Sequence, residues 1–319
     1  MAPNSASKKG STCTSMQGMK GGRHGPAIVI PPSLEWLSGE PGGQLWLRDL
    51  PSLISTCLEQ WQLVLGRPFL GNVSYVAPAT TTGGSEVVLK VGFPHPDSED
   101  EAAALAQWEG RGAVRMLDYD PERRVLLLER CAPGTNLWEE SEDDATEAVA
   151  GVLEELWETP GPRSPFQALS SAARVWSEDL SAAYERWEHP FEQEIFEEAI
   201  AFMATARPPR SDDVILHQDL RGNALRRGDD WVAIDPKPLV GERAFDLTSY
   251  VRDRRDELAS DPDAVKIVRK RLDRLCTRLD VDRERARGWA LAHALAWGFD
   301  ADGTFYPDHV LAARLIARC

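Results

Sequence analysis

Basic residues are the first shortage. The 319-residue chain sets 36 Lys and Arg against 51 Asp and Glu, a formal charge of −15 at pH 7. A polyanion needs clustered cations to displace its counterions, so nucleic acid is excluded as the main ligand, while a small cationic partner suits such a surface. Cysteine is scarce too. Cys13, Cys57, Cys131, Cys276 and Cys319 are odd in number, widely spaced and free of any CxxC or Cys/His grouping, which excludes a disulfide framework and a thiolate metal site. They read as reduced thiols of a cytoplasmic protein. Long apolar runs are missing: no stretch approaches the roughly 20 residues that cross a bilayer. The basic N-terminal residues also lack the apolar segment of a signal peptide, so a membrane partner is not expected. Oligomeric state is left open. Repeats, heptads and a GxGxxG fingerprint are absent as well, leaving Gly71-Asn72-Val73-Ser74 as the one candidate phosphate loop.

What is present is material for a core, since 42% of the residues are hydrophobic, enough for one large domain or two packed lobes. Residues 1–25 stand apart, rich in Ser, Gly, Lys and Thr. They have too little to bury to offset the entropy of ordering and read as a disordered tail. Met16 and Met19 stand as equivalent starts. From Leu50 the apolar positions Leu53, Ile54, Cys57, Leu58 and Trp61 follow helical spacing, with Pro51 in the first turn. Two β-prone runs, Val73 to Ala77 and Glu86 to Val91, flank a Thr80 to Gly84 loop and predict a hairpin. A helix is expected from Ser98 to about Glu109, then strands from Ala113 to Leu117 and Arg124 to Glu129 about the Asp120-Pro121 turn.

Beyond Pro133-Gly134 the periodicity becomes helical: Ala145 to Trp157, Ala172 to Trp187, Phe191 to Met203, Ala264 to Leu279 and Arg283 to Trp297. The expected architecture is α+β and bilobal. A small β-rich lobe over residues 26–130 joins, near Glu129 to Pro133, a larger helical lobe over 131–319, with a cleft between them.

Chemistry concentrates in Leu216-His217-Gln218-Asp219-Leu220-Arg221-Gly222-Asn223 and in Trp231-Val232-Ala233-Ile234-Asp235-Pro236. Two apolar strands, each followed by a carboxylate, gather oxygen ligands at one edge. Mg²⁺ prefers such hard ligands and fills its remaining positions with water and phosphate. Phosphoryl transfer needs metal, a cation on the phosphates and a carboxylate that orients the attacking hydroxyl. Asp219 suits the last role and Asp235 the metal. The cation is Lys90, at the end of Val87-Val88-Leu89-Lys90. A lysine in a strand built for burial needs a partner, and Glu101, eleven residues on, can supply it.

Lys90, Glu101, Leu127-Leu128-Glu129-Arg130, His217-Gln218-Asp219 and Ile234-Asp235-Pro236 follow the order of the protein-kinase-like fold. More narrowly, Ala233 to Glu242 with Phe245-Asp246-Leu247 resembles the streptomycin 6-kinase and hydroxyurea phosphotransferase branch of the aminoglycoside phosphotransferases. The resemblance spans roughly residues 60 to 300 and is specific from His217 to Leu247. It implies an ATP- and Mg²⁺-dependent kinase of a small cationic alcohol such as streptomycin. It further implies Asp219 as the catalytic carboxylate, Asn223 and Asp235 as Mg²⁺ ligands, and Lys90 on the α/β-phosphates. The backbone from Glu129 to Cys131 would meet adenine, His217 would brace the catalytic loop, and Asp246 would be a structural carboxylate beside it. One departure stands out. Kinase-like loops carry four residues between Asp and Asn, whereas only Leu220, Arg221 and Gly222 separate Asp219 from Asn223, a loss of up to ~3.5 Å of chain.

Plainer readings compete. Asp219 suits a helix or turn cap and Asp235 a turn before proline. Ser98-x-x-Glu101 is also a capping box, and Lys90 could snorkel from a strand edge. Trp61, Trp157, Trp176 and Trp187 fall at core spacing, and His293 reads as a core histidine. Trp297, Asp300 and Asp302 could hold a cationic substrate or simply close a helix. The same motifs also fit a kinase of hydroxyurea or another small alcohol, or a nucleotide-binding regulator without catalysis.

Overall fold

The structure is a computed structural model that describes residues 28–71, 73–95, 98–162, 164–220, 222–299 and 303–319. The tail expected over 1–25 lies outside these residues, as do Asn72 of the phosphate-loop candidate, Arg221, Asp300 and Asp302.

Helix α1 (Gly43–Gln60) precedes an antiparallel sheet of five strands, β1 (Leu63–Leu65), β2 (Ser74–Thr81), β3 (Glu86–Gly92), β4 (Met116–Asp120) and β5 (Val125–Glu129), in the order β1-β2-β3-β5-β4. Pro51 is inside α1 rather than in its first turn. Proline removes one donor from the helix, and burial of Leu50, Ile54 and Cys57 outweighs that loss. These side chains close a first core with Tyr75, Ala77, Val87, Leu89 and Val91.

Strand β5 explains how this core joins the next. Val125 and Leu127 face the first core, while Leu126 and Leu128 face a second one with Ala104, Leu105 and Trp108 of helix α2 (Glu101–Trp108). A strand whose alternate residues are all apolar has two buried faces.

After β5 come two three-stranded sheets. Strand β6 (Pro133–Asn136) pairs with β9 (Ala224–Arg227), which pairs with β10 (Asp230–Ala233); β11 (Leu239–Gly241) lies between β7 (Gln167–Ala168) and β8 (Val214–Leu216). Around them pack helices α3 (Glu142–Leu156), α4 (Leu169–Arg186), α5 (Gln193–Met203), α6 (Thr248–Val251), α7 (Arg255–Ser260), α8 (Ala264–Leu279), α9 (Arg283–Ala296) and α10 (Pro307–Ala317).

Helix α9 runs through the centre, where Ala and Gly let neighbours approach. A Cβ at Gly288 would lie 2.1 Å from the Phe202 ring. Helix α8 turns its charged face to α3, pairing Lys270 with Asp143, Arg274 with Glu147 and Arg278 with Glu154. The two parts of the molecule meet through backbone at Ala113 and Ala233, with Val114 N donating to Ala233 O at 2.8 Å and Ala233 N to Gly112 O at 2.8 Å. Cys57, Cys131, Cys276 and Cys319 are unbridged thiols. Among the described residues no helix is long and apolar enough to cross a membrane.

Candidate active site

Lys90 occupies an inward position of β3 and is 6% exposed. Its ammonium donates to both oxygens of Glu101 at 2.7 Å and to Asp235 Oδ1 at 2.5 Å. Burial opposes that charge, yet Asp235 and Glu101 together raise the pKa above its ordinary value, so Lys90 stays protonated. Glu101 is the first residue of α2 and is itself buried. The capping box with Ser98 does not form: Ser98 Oγ donates to the carbonyls of Phe93 and His95 instead, leaving Glu101 to satisfy the buried lysine. Burial works against the Asp235 carboxylate too, but Lys90 and Lys237 hold it down to about 2.

The segment from His217 to Asn223 leaves strand β8 over a buried carboxylate. Asp246 accepts from His217 N at 3.0 Å, Gln218 N at 2.8 Å and Trp157 Nε1 at 3.1 Å. Burial pushes its pKa up to about 6 against those three donors. The His217 ring bridges this loop to the next strand. Asp219 N donates to Nδ1 at 3.3 Å, so Nε2 carries the hydrogen that it gives to Ile234 O at 3.0 Å. Burial lowers the His217 pKa to about 4 and keeps the ring neutral.

The three-residue spacing still brings Asn223 to the cleft beside Asp235. Asn223 Nδ2 donates to Asp219 O at 2.7 Å, and Asn223 O accepts from Ile234 N at 2.9 Å. Gly222 makes the turn at φ +64°, and a Cβ there would sit 1.9 Å from Trp138 Nε1. Both the dihedral and the close approach therefore demand glycine.

Some of these groups open on a cleft of about 530 Å³ between the five-stranded sheet and the helical part, which Asp219 and Lys237 do not line. Val88, Val114 and Leu128 line one side, Leu225 and Ile234 the other, with Lys90, Glu101, Asn223 and Asp235 at the polar end. Glu129 and Cys131 line it as well, but the Glu129 carboxylate is turned to Arg227 at 2.9 Å and to Arg115 N at 2.7 Å. Trp297 is not among the lining residues. Its ring packs on Trp176 and His293, with Arg252 over it, inside the helical part.

Three contacts were not foreseen from the sequence. Lys237 Nζ donates to Asp219 Oδ2 at 2.5 Å, Trp138 packs on Gly222, and Arg227 holds Glu129. Only the first left a signal in the chain, a lysine set between Pro236 and Pro238.

The polar end fits a hard divalent cation. Asp235 and the Asn223 amide line it and offer oxygen ligands, to which water and phosphate would add the rest, while both Glu101 oxygens are taken by Lys90. Mg²⁺ bound there would place positive charge against phosphate oxygens.

A sheet-and-helix fold with this cleft is protein-kinase-like. A choline kinase from Streptococcus pneumoniae matches it with a TM-score of 0.56 at 11% identity, over 85% of this chain and 99% of that one. Residues 60–302 match the model of the aminoglycoside/hydroxyurea antibiotic resistance kinases, and the chain belongs to that family. It is 35% identical over 258 residues to a streptomycin 6-kinase of Streptomyces glaucescens, 79% of this chain and 83% of the relative. It is 32% identical to a hydroxyurea phosphotransferase of Kitasatospora aureofaciens, over 86% and 80%. The protein is thus a phosphotransferase acting on a hydroxyl group.

Proposed function

We propose that the protein transfers the γ-phosphoryl of ATP to a hydroxyl of an aminoglycoside of the streptomycin type, in the cytoplasm. Residues 26–130 form the nucleotide lobe and residues 131–319 the catalytic and acceptor lobe. Asp219 accepts a hydrogen bond from the acceptor hydroxyl, directs its lone pair at the γ-phosphorus and takes its proton. Lys90, held by Glu101, meets the α/β-phosphates. Asp235 and Asn223 are the residues that would hold Mg²⁺. The backbone from Glu129 to Cys131 meets the adenine edge, and the apolar walls of the cleft flank the base.

One observation carries this reading. Lys90 and Asp235, 145 residues apart in the chain, meet at 2.5 Å at the end of a cleft sized for a nucleotide, with Asn223 beside them and hydrogen-bonded to Asp219. Similarity to streptomycin 6-kinases supports the acceptor, and the acidic composition suits a cation. The hydroxyurea phosphotransferase, at nearly equal identity, makes hydroxyurea the second acceptor to test. Each compound is incubated with protein, ATP and Mg²⁺, beside an Asp219→Ala control, and the product is weighed by mass spectrometry. A gain of one phosphoryl on streptomycin that vanishes in the control supports the proposal. A gain only on hydroxyurea, or on neither compound, sinks the aminoglycoside assignment.

A further inference from the structure

Two residues beyond Asp235, which lines the cleft, stands a second lysine to which the roles above assign nothing. Lys237 stands between Pro236 and Pro238, whose rings restrict its backbone. Its N donates to His217 O at 3.1 Å, so the residue is tied to the strand end that delivers Asp219. Asp235, two residues before it, has φ +57°, and this turn swings Lys237 back toward the catalytic loop. Its ammonium then reaches Asp219 Oδ2 at 2.5 Å. The same charge lowers the Asp235 carboxyl and is felt at Glu101 and His217. Lys237 therefore lies in the field shared by the carboxylate that would orient the acceptor and the carboxylate that would hold metal.

A purely structural pair would stabilise the fold little here. The Lys237 and Asp219 side chains are 26% and 22% exposed, and ion pairs that reach solvent contribute little. An ammonium at this point has a chemical use, because the loose transition state spreads negative charge over three equatorial oxygens.

We propose that Lys237 is a catalytic residue of the transfer, its ammonium bridging Asp219 Oδ2 and the equatorial oxygens of the transferring phosphoryl. The inference rests on the ATP-kinase reading above. In the step, the acceptor oxygen forms its bond to the γ-phosphorus. The bond from that phosphorus to the bridging oxygen breaks, its electron pair stays on ADP, and the hydroxyl proton passes to Asp219. Lys237 remains an ammonium throughout and donates hydrogen bonds only.

The test compares Lys237→Met and Lys237→Arg with the parent protein in two measurements. The first is calorimetric binding of AMP-PNP and of ADP, each with Mg²⁺. Losing a charge-assisted contact to the γ-phosphoryl weakens AMP-PNP by about tenfold in Lys237→Met and leaves ADP within about twofold. The second is steady-state kinetics with streptomycin. There kcat falls by about 10²–10³-fold in Lys237→Met, the ATP KM rises about as much as AMP-PNP binding weakens while the streptomycin KM stays within about threefold, and Lys237→Arg recovers most of the loss.

Equal AMP-PNP to ADP ratios in parent and Lys237→Met, or a kcat loss of less than threefold, overturn the proposal. If the parent binds AMP-PNP but phosphorylates no aminoglycoside, the acceptor assignment falls while the nucleotide ratios still decide Lys237. If the parent binds neither nucleotide, the kinase reading and the role of Lys237 fall together.

Discussion

Two lysine–carboxylate pairs bear on Asp235, and they differ in depth. Lys90 and Glu101 have side chains 7% and 4% exposed, with Asp235 closing the group from the far side of the cleft. Lys237 and Asp219 are 26% and 22% exposed. Removing Lys90 or Glu101 strands the other's charge in a place water does not reach, although Asp235 itself is 37% exposed, so the Lys90–Glu101 pair is tied to folding. The shallow pair can trade its partner for a substrate oxygen at little cost, because water already shares the site. In the proposed reaction the two kinds of pair divide the work: a fixed cation would receive the nucleotide, and an adjustable pair would stand where bonds change.

The sharpest break of that comparison is Asp219→Asn. Activity should fall by about 10³-fold while the urea midpoint stays within error, since the shallow pair contributes little to stability. A large loss of stability would make the two pairs alike. Lys90→Met should do the opposite first. It leaves Glu101 and Asp235 without their cation and should cost about 3–5 kcal/mol in chemical denaturation, with loss of nucleotide binding in whatever fraction remains folded.

Asp246 extends the comparison to pH. Its pKa is raised from 3.8 to about 6, so the native state keeps a proton that the unfolded chain releases, and acidification through that window stabilises the fold. His217, lowered from 6.5 to about 4, does the reverse: the unfolded chain takes up a proton that the native ring refuses. In the parent the two nearly offset each other. Asp246→Asn should therefore lose on the order of 2 kcal/mol more than the parent between pH 6.5 and 4.5 in urea titrations; equal slopes would refute the offset. The smallest effect belongs to the exposed face of α8, where Arg278→Ala breaks a pair with Glu154 whose members are 47% and 44% exposed and should leave the urea midpoint nearly unchanged, with no difference left in high salt.

Much of this molecule was legible in the chain. The hairpin of β2 and β3, the strand β5 and the helices α3, α4, α5, α8 and α9 follow from apolar periodicity, a local property, whereas α6, α7 and α10 were not foreseen. The motifs from His217 to Asn223 and from Ile234 to Pro236 were legible because each is contiguous and carries its own turn chemistry. Misplacement of Pro51 in the first turn of α1 came from the opposite situation: the helix extends to Gly43 because distant residues bury it. Strand β6 begins with Pro-Gly and has no strand signal of its own. It is a strand because β9 pairs with it.

The sequence by itself determined the α+β order of elements, the carboxylates and lysine fit for phosphoryl transfer, and the kinase family. Those depend on residue type, spacing and local propensity. Only the tertiary structure decided which carboxylate each lysine meets, that Asn223 still reaches the cleft through a shortened loop, that Trp138 requires glycine at 222, and that Asp246 lies buried beneath the turn it holds. These depend on groups brought together across separations from 11 residues for Lys90 and Glu101 to 145 for Lys90 and Asp235. Their partners are selected by burial, since a charge or a polar hydrogen withdrawn from water must find whatever the packed chain sets beside it.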